Sequence, residues 1–123
     1  LNLNDPRLVI PNDFIMFDNK ILDIGIETKN QYLKIISKAK QVIWNGPLGL
    51  FEDPAFAKGA NEIAQAIVNS GVFSIIGGGD TISAVDNLGL LDKYSFVSTG
   101  GGAMLDFLAG NKLSGLEVLG FYE

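Results

Sequence analysis

The stretch Val72-Phe73-Ser74-Ile75-Ile76-Gly77-Gly78-Gly79-Asp80-Thr81 decides how this chain is read. Val72 to Ile76 is an almost unbroken apolar run, the pattern of a strand buried on both faces. It stops at three successive glycines. Ile82, Val85 and Leu88 or Gly89 beyond them suggest a helix. A strand that ends in a Gly-rich turn, which in turn opens a helix, is the repeating unit of an α/β sheet.

The unit recurs on both sides. Downstream, Tyr94 to Val97 reads as a short strand running into Ser98-Thr99-Gly100-Gly101-Gly102. Ala103, Met104, Phe107 and Leu108 then read as a helix ended by Gly110, and Leu113 to Glu123 holds one more short apolar stretch. Upstream, Gln41 to Trp44 is apolar and ends at Asn45-Gly46-Pro47, strong turn chemistry with a second glycine at 49. Asp53 is expected as N-cap and Pro54 as first residue of the next helix. Its apolar face is Phe56, Ala60, Ile63, Ala64, Ile67 and Val68, and Asn69-Ser70-Gly71 stops it.

Before that, Tyr32, Ile35, Ile36 and Ala39 recur at helical spacing, with Thr28 expected as N-cap and Lys34, Lys38 and Lys40 toward the far end. Leu8 to Phe17 reads as a strand, a break at Pro11 and a second strand. Three strand–turn–helix units imply a doubly wound α/β fold: a mainly parallel sheet with helices on both faces. No linker divides residues 1–123, so they are expected to form a single unit.

Composition narrows the chemistry. Of 123 residues, 47% are hydrophobic and 19% charged, which excludes a disordered or collagen-like chain. There is no run of about 18 apolar residues for a transmembrane helix, and no secretory leader is expected, although the chain begins at Leu1. A net charge of -5 argues against a nucleic-acid surface. Cys is absent, so a reducing cytoplasm is the expected location. His is absent too, which removes Ser-His-Asp hydrolysis and His-ligated metal chemistry.

In an open parallel sheet, ligands bind beyond the carboxyl ends of the strands. All three Gly-rich turns fall on that edge. Each offers backbone N–H groups at or near a helix N-terminus, where the dipole favours an anion. Together they point to a polyanion such as a nucleotide. One such turn is more often a tight connection, but three consecutive glycines, twice, cost more backbone entropy than a simple turn needs.

Two readings stay open at most of the polar positions. Asp80 is either a helix N-cap or a carboxylate that holds Mg²⁺ against phosphates. Thr81 is a first-turn residue or a phosphate-binding hydroxyl. Glu52 is a solvated acid or an acceptor for ribose hydroxyls. Ser98 and Thr99 read as caps, and Trp44 as core. There is no Gly-x-x-x-x-Gly-Lys-[Ser/Thr] loop and no Gly-x-Gly-x-x-Gly after the first strand. No Lys or Arg lies within either triple glycine, and Lys58 and Lys93 read as solvated surface, so backbone amides and a metal would carry the charge.

Three segments resemble signatures of phosphoglycerate kinase: Val42-Ile43-Trp44-Asn45-Gly46-Pro47-Leu48-Gly49-Leu50-Phe51-Glu52, Ile75-Ile76-Gly77-Gly78-Gly79-Asp80-Thr81, and Val97-Ser98-Thr99-Gly100-Gly101-Gly102-Ala103 continuing into Leu105-Asp106-Phe107-Leu108-Ala109-Gly110. The resemblance runs from about Asp23 to about Leu119. It implies the later part of a Rossmann-like C-terminal, nucleotide-binding domain, and thus a partial domain of a two-domain glycolytic enzyme. That enzyme transfers a phosphoryl group reversibly between 1,3-bisphosphoglycerate and ADP, giving 3-phosphoglycerate and Mg-ATP. The resemblance also implies a monomer without membrane or nucleic-acid partners, whose N-terminal domain binds 3-phosphoglycerate.

For individual residues, the resemblance implies that Glu52 binds the ribose hydroxyls, that Asn45 and Pro47 lie along the ribose and phosphates, and that Leu50 packs on the base. Gly78, Gly79, Asp80 and Thr81 would hold the phosphates, with Asp80 toward Mg²⁺. Gly79, Gly100, Gly101 and Gly102 would face the transferring phosphoryl group. Ile21, Ile26 and Glu27 depart from the family pattern at the base end of the pocket. The family's Gly-Ala-Lys-Val-Ala-Asp-Lys-type segment and basic patch do not occur in these residues, so the chain alone is expected to be inactive. The alternatives are a non-catalytic nucleotide- or anion-binding module, or a folding unit whose glycines serve packing alone.

Overall fold

The computed structural model describes residue 3 and residues 5–123. Strands β1 (Phe14–Phe17) and β2 (Lys20–Ile24) form an antiparallel hairpin. Helix α1 (Ile26–Ile36) follows, then β3 (Gln41–Asn45), α2 (Lys58–Ser70), β4 (Phe73–Gly77), α3 (Gly79–Asp86), a 3₁₀ turn at Leu91–Lys93, β5 (Phe96–Ser98), α4 (Gly102–Leu108) and α5 (Ser114–Val118). Strands β3, β4 and β5 make one parallel sheet in that order. The expected mixed α/β architecture is therefore present.

The core lies on one side of this sheet. Trp44 and Ile76 point into it and meet Ile63, Ala64 and Ile67 of α2, Val85 of α3 and Tyr94. Tyr32, Leu33 and Ile36 of α1 pack around the margin. The α2 residues recur at helical spacing, which is why one face of the helix is wholly buried. Burying a side chain such as Ile67, 1% exposed, contributes roughly 1.5–3 kcal/mol. Gly71 closes α2 in the left-handed conformation, as the Asn-Ser-Gly stop predicts.

Strand order advances in one direction, so both crossover helices, α2 and α3, fall on the same face. On the reverse face Ile43, Phe73 and Phe96 remain 43, 53 and 57% exposed. There the start of α4 reaches over the sheet at Gly77, where Met104 lies against the backbone.

Five local expectations are corrected. Only Phe14–Phe17 of the segment 8–17 is a strand, and its partner lies beyond a turn in which Asp18 and Asn19 adopt φ 50° and 58°. Thr28 is not the cap of α1. Gly25 holds that position, and the carboxylate of Asp13 accepts the Glu27 and Thr28 amides at 2.9 and 2.7 Å. Because α1 ends at Ile36, Lys38 and Lys40 lie beyond it and only Lys34 stands in its last turn.

Asp53-Pro54 does not open α2. Asp53 forms a local turn, accepting the Ala55 amide on its side chain at 2.9 Å, and the helix starts at Lys58. The last strand starts two residues later than expected and ends one later. Tyr94 belongs to the core instead, where its hydroxyl donates to the Ala64 carbonyl at 3.2 Å.

Candidate functional site

Register places Asn45, Gly77 and Ser98 side by side, so the three strands end in one row. The turns beyond them touch. A methyl group built on Gly78 would lie 3.4 Å from the Asn45 side-chain nitrogen, and one on Gly101 would lie 3.9 Å from the Gly78 Cα. The exits converge instead of splaying apart.

Gly78 is the N-cap of α3 and holds φ 89° with ψ 133°, a conformation that glycine enters without strain. Asp80 is therefore the second helical residue, not the cap, and its side chain is exposed. Among the described residues, the amides of Gly79, Asp80, Gly101 and Gly102 have no protein acceptor. The side-chain nitrogen of Asn45 is buried and without a partner. A buried donor left unpaired, as this nitrogen is, is costly unless something outside the chain accepts from it.

Not every residue singled out by sequence faces that row. Thr81 is fully buried, and its hydroxyl accepts the Gly46 amide at 2.8 Å. It thereby fastens the exit of β3 to the first turn of α3. Gly100 donates to the Ser98 hydroxyl at 3.3 Å, an internal turn contact. Trp44 is core, and its indole N–H donates to the Gly46 carbonyl at 2.8 Å. Pro47 is half-buried, whereas Leu50 and Glu52 are exposed on the loop that follows. That loop is tied to β2, since the Leu50 amide donates to the Leu22 carbonyl at 2.8 Å.

Two residues that sequence reasoning missed shape the surroundings. Asp23 is 2% exposed and accepts the amides of Ile24 and Gly59, both at 2.8 Å. It caps α2 from outside the helix, and its 36-residue separation from Gly59 leaves no local signal. Met104 stands over Gly77 and sets the height of α4 above the row.

The arrangement is a cradle of backbone donors at consecutive strand exits, with one carboxylate at its rim. It suits an extended anion and offers no general acid or base of its own. Among the described residues there is no group of three or more His, Cys, Asp or Glu able to hold a metal, and no helix long and apolar enough to cross a membrane.

Comparison with known proteins agrees with the motifs. Residues 3–111 match the family model "Phosphoglycerate kinase". Phosphoglycerate kinases from two Haemophilus influenzae strains, PittGG and Rd, are each 52% identical over 102 residues, covering 83% of this chain and 26% of theirs. The solved phosphoglycerate kinase of Coxiella burnetii superposes with a TM-score of 0.71 at 47% identity, covering 75% of this chain and 24% of that one. The Pyrococcus horikoshii OT3 enzyme gives 0.72 at 43% identity, covering 81% and 24%. The chain thus spans about a quarter of the length of these relatives. With the three glycine-rich exits in one row and most of its residues matched, the chain belongs to the phosphoglycerate kinase family.

Proposed function

We propose that these residues form a partial domain, the Mg-nucleotide-binding part of a glycolytic phosphoglycerate kinase. In the whole enzyme a phosphoryl group passes between 1,3-bisphosphoglycerate and ADP, giving 3-phosphoglycerate and ATP. The observation that carries this reading is the shared row of unpaired donors, namely the amides of Gly79, Asp80, Gly101 and Gly102 and the buried side-chain nitrogen of Asn45.

In this reading Gly78, Gly79 and Asp80 receive the nucleotide phosphates. Gly100, Gly101 and Gly102 face the phosphoryl group in transfer together with Gly79. Asn45 and Pro47 border the ribose and phosphates, Leu50 meets the base and Glu52 accepts from the ribose. Thr81 acts on the phosphates through the Gly46 turn it holds. Mg²⁺ is commonly held by one or two carboxylates plus substrate oxygens, and a lone exposed Asp80 beside free amides fits that donor set. Catalysis then rests on positioning and charge stabilisation. The whole enzyme works as a cytoplasmic monomer. Its acidic substrate needs cations that these glycine turns lack, so the 123-residue chain binds nucleotide but does not turn over.

Isothermal titration of the chain with Mg-ADP tests this. Asp80→Ala weakens binding roughly tenfold, the scale of one charge-assisted contact, and chiefly when Mg²⁺ is present. Glu52→Ala weakens it with or without the metal. Absence of binding by the unmodified chain overturns the reading, and turnover by that chain overturns the claim that it is inactive.

A further inference from the structure

Asp23 is the one buried carboxylate among the described residues, and the roles above leave it unused. No ammonium pairs with it there. Lys29 and Lys58 line the same cavity, of about 220 Å³, but both turn to Glu62, at 2.6 and 3.9 Å. Its charge is met by peptide groups, the amides of Ile24 and Gly59 at 2.8 Å.

Two glycines form its seat. A Cβ on Gly59 would collide with the carboxylate itself. A Cβ on Gly49 would lie 2.7 Å from Asp23 Oδ1, 2.7 Å from the Leu22 carbonyl and 2.8 Å from the Phe56 carbonyl. The carboxylate is thus enclosed by β2 below, the start of α2 at one side and the loop after β3 above. One residue further on, that loop bonds to β2 through the Leu50 amide.

We propose that Asp23 is a positioning residue for the loop that carries Leu50 and Glu52. It touches no ligand. By fixing the start of α2 and supporting Gly49, it sets where those two side chains stand relative to the glycine turns. The consequence for binding rests on the nucleotide reading above, but the loop's anchorage does not. Capping acids usually come from the residue just before the helix. This one comes from a different strand, so it joins three segments that sequence keeps apart.

The test uses the 123-residue chain and two measurements. Amide hydrogen exchange by NMR compares the Leu50 amide with that of Ile82, which bonds within the first turn of α3. Asp23→Asn keeps the shape but replaces one acceptor oxygen with a donor. It is expected to speed exchange at Leu50 at least tenfold and leave Ile82 within twofold. Asp23→Glu, which keeps the charge but moves the carboxylate off its seat, should do the same and serves if Asp23→Asn does not fold, while Gly49→Ala, strained at φ 67° and crowded by the Leu22 and Phe56 carbonyls, marks the exchange expected of a displaced loop. Equal acceleration at both amides, or at neither, overturns the proposal.

The second measurement is titration with Mg-ADP and with Mg-tripolyphosphate, which has phosphates but no nucleoside. The variants should weaken Mg-ADP about tenfold and Mg-tripolyphosphate less than twofold. Equal loss of both overturns the positioning role. If the unmodified chain binds Mg-tripolyphosphate but not Mg-ADP, the nucleotide reading fails, while the exchange result still decides the anchorage.

Discussion

The Gly46 amide donates to the hydroxyl of Thr81 at 2.8 Å, across 35 residues of sequence. This bond joins the first glycine turn to the second. Thr81→Val removes the acceptor while keeping the shape, and should destabilise the chain by about 1–2 kcal/mol in urea unfolding. Thr81→Ser restores the bond and should recover part of that loss. If Val and Ser behave alike, the hydroxyl does not hold the turn.

Gly78 sets the path from β4 into α3. With φ at 89°, an L-residue there is strained by about 1–3 kcal/mol. Gly78→Ala should lower stability by that amount and weaken Mg-ADP binding, because relaxation of the turn moves the Gly79 and Asp80 amides. Gly79→Ala is the comparison. It meets open space and has no positive φ, so its stability should change by less than about 1 kcal/mol. Thermal unfolding of both variants decides the matter.

Asp13 contributes to the acid limb of stability. Its bond from the Thr28 hydroxyl, 2.5 Å long, together with the backbone amides it accepts, holds its carboxyl below the usual carboxylate range. A depressed folded value means stability is fully present above the unfolded pKa, near pH 4, and is lost as pH falls through the folded value. Asp13→Asn should be less stable at pH 7 and show a flatter decline below pH 4. A decline of unchanged steepness would assign the acid response to other groups.

Tyr94 contributes to the alkaline limb. Burial pushes its phenol well above the ordinary range. The neutral form is the one that packs and donates to the Ala64 carbonyl. With the folded value raised, the contribution is complete below about pH 10 and fades as pH rises beyond it. Tyr94→Phe should cost about 0.5–1.5 kcal/mol at pH 7 through the lost hydrogen bond, and remove that part of the alkaline decline. Unfolding curves between pH 7 and 11 provide the check.

Much of the fold is legible in the sequence because its signals are local. Val42 to Trp44 and Phe73 to Ile76 are continuous apolar runs, and each ends at turn residues. Gly71 and Gly110 mark helix ends by position alone. What escapes is held by partners distant in sequence. The caps of α1 and α2 are Asp13 and Asp23, each contributed from outside its helix, so neither Thr28 nor Asp53 plays the expected part. Of the hairpin, Phe14 to Phe17 is the second strand expected in segment 8–17, but its partner Lys20 to Ile24 escapes, because β1 is exposed throughout and carries no alternation that would ask for one. At the site, glycine clusters announce where the donors lie, but the inward turn of the Thr81 hydroxyl follows from packing that no local pattern records.

Both crossover helices lie on one side of a three-strand slab, and its reverse carries the row Ile43, Ile75 and Phe96. The bond from the Gly46 amide to the buried Thr81 hydroxyl, which ties two of the strand exits together, lies away from that oily row. The apolar row and the row of glycine-turn donors therefore occupy different parts of the sheet. A mild detergent that wets the bare side should change how readily copies stick together while the ligand rim keeps its form.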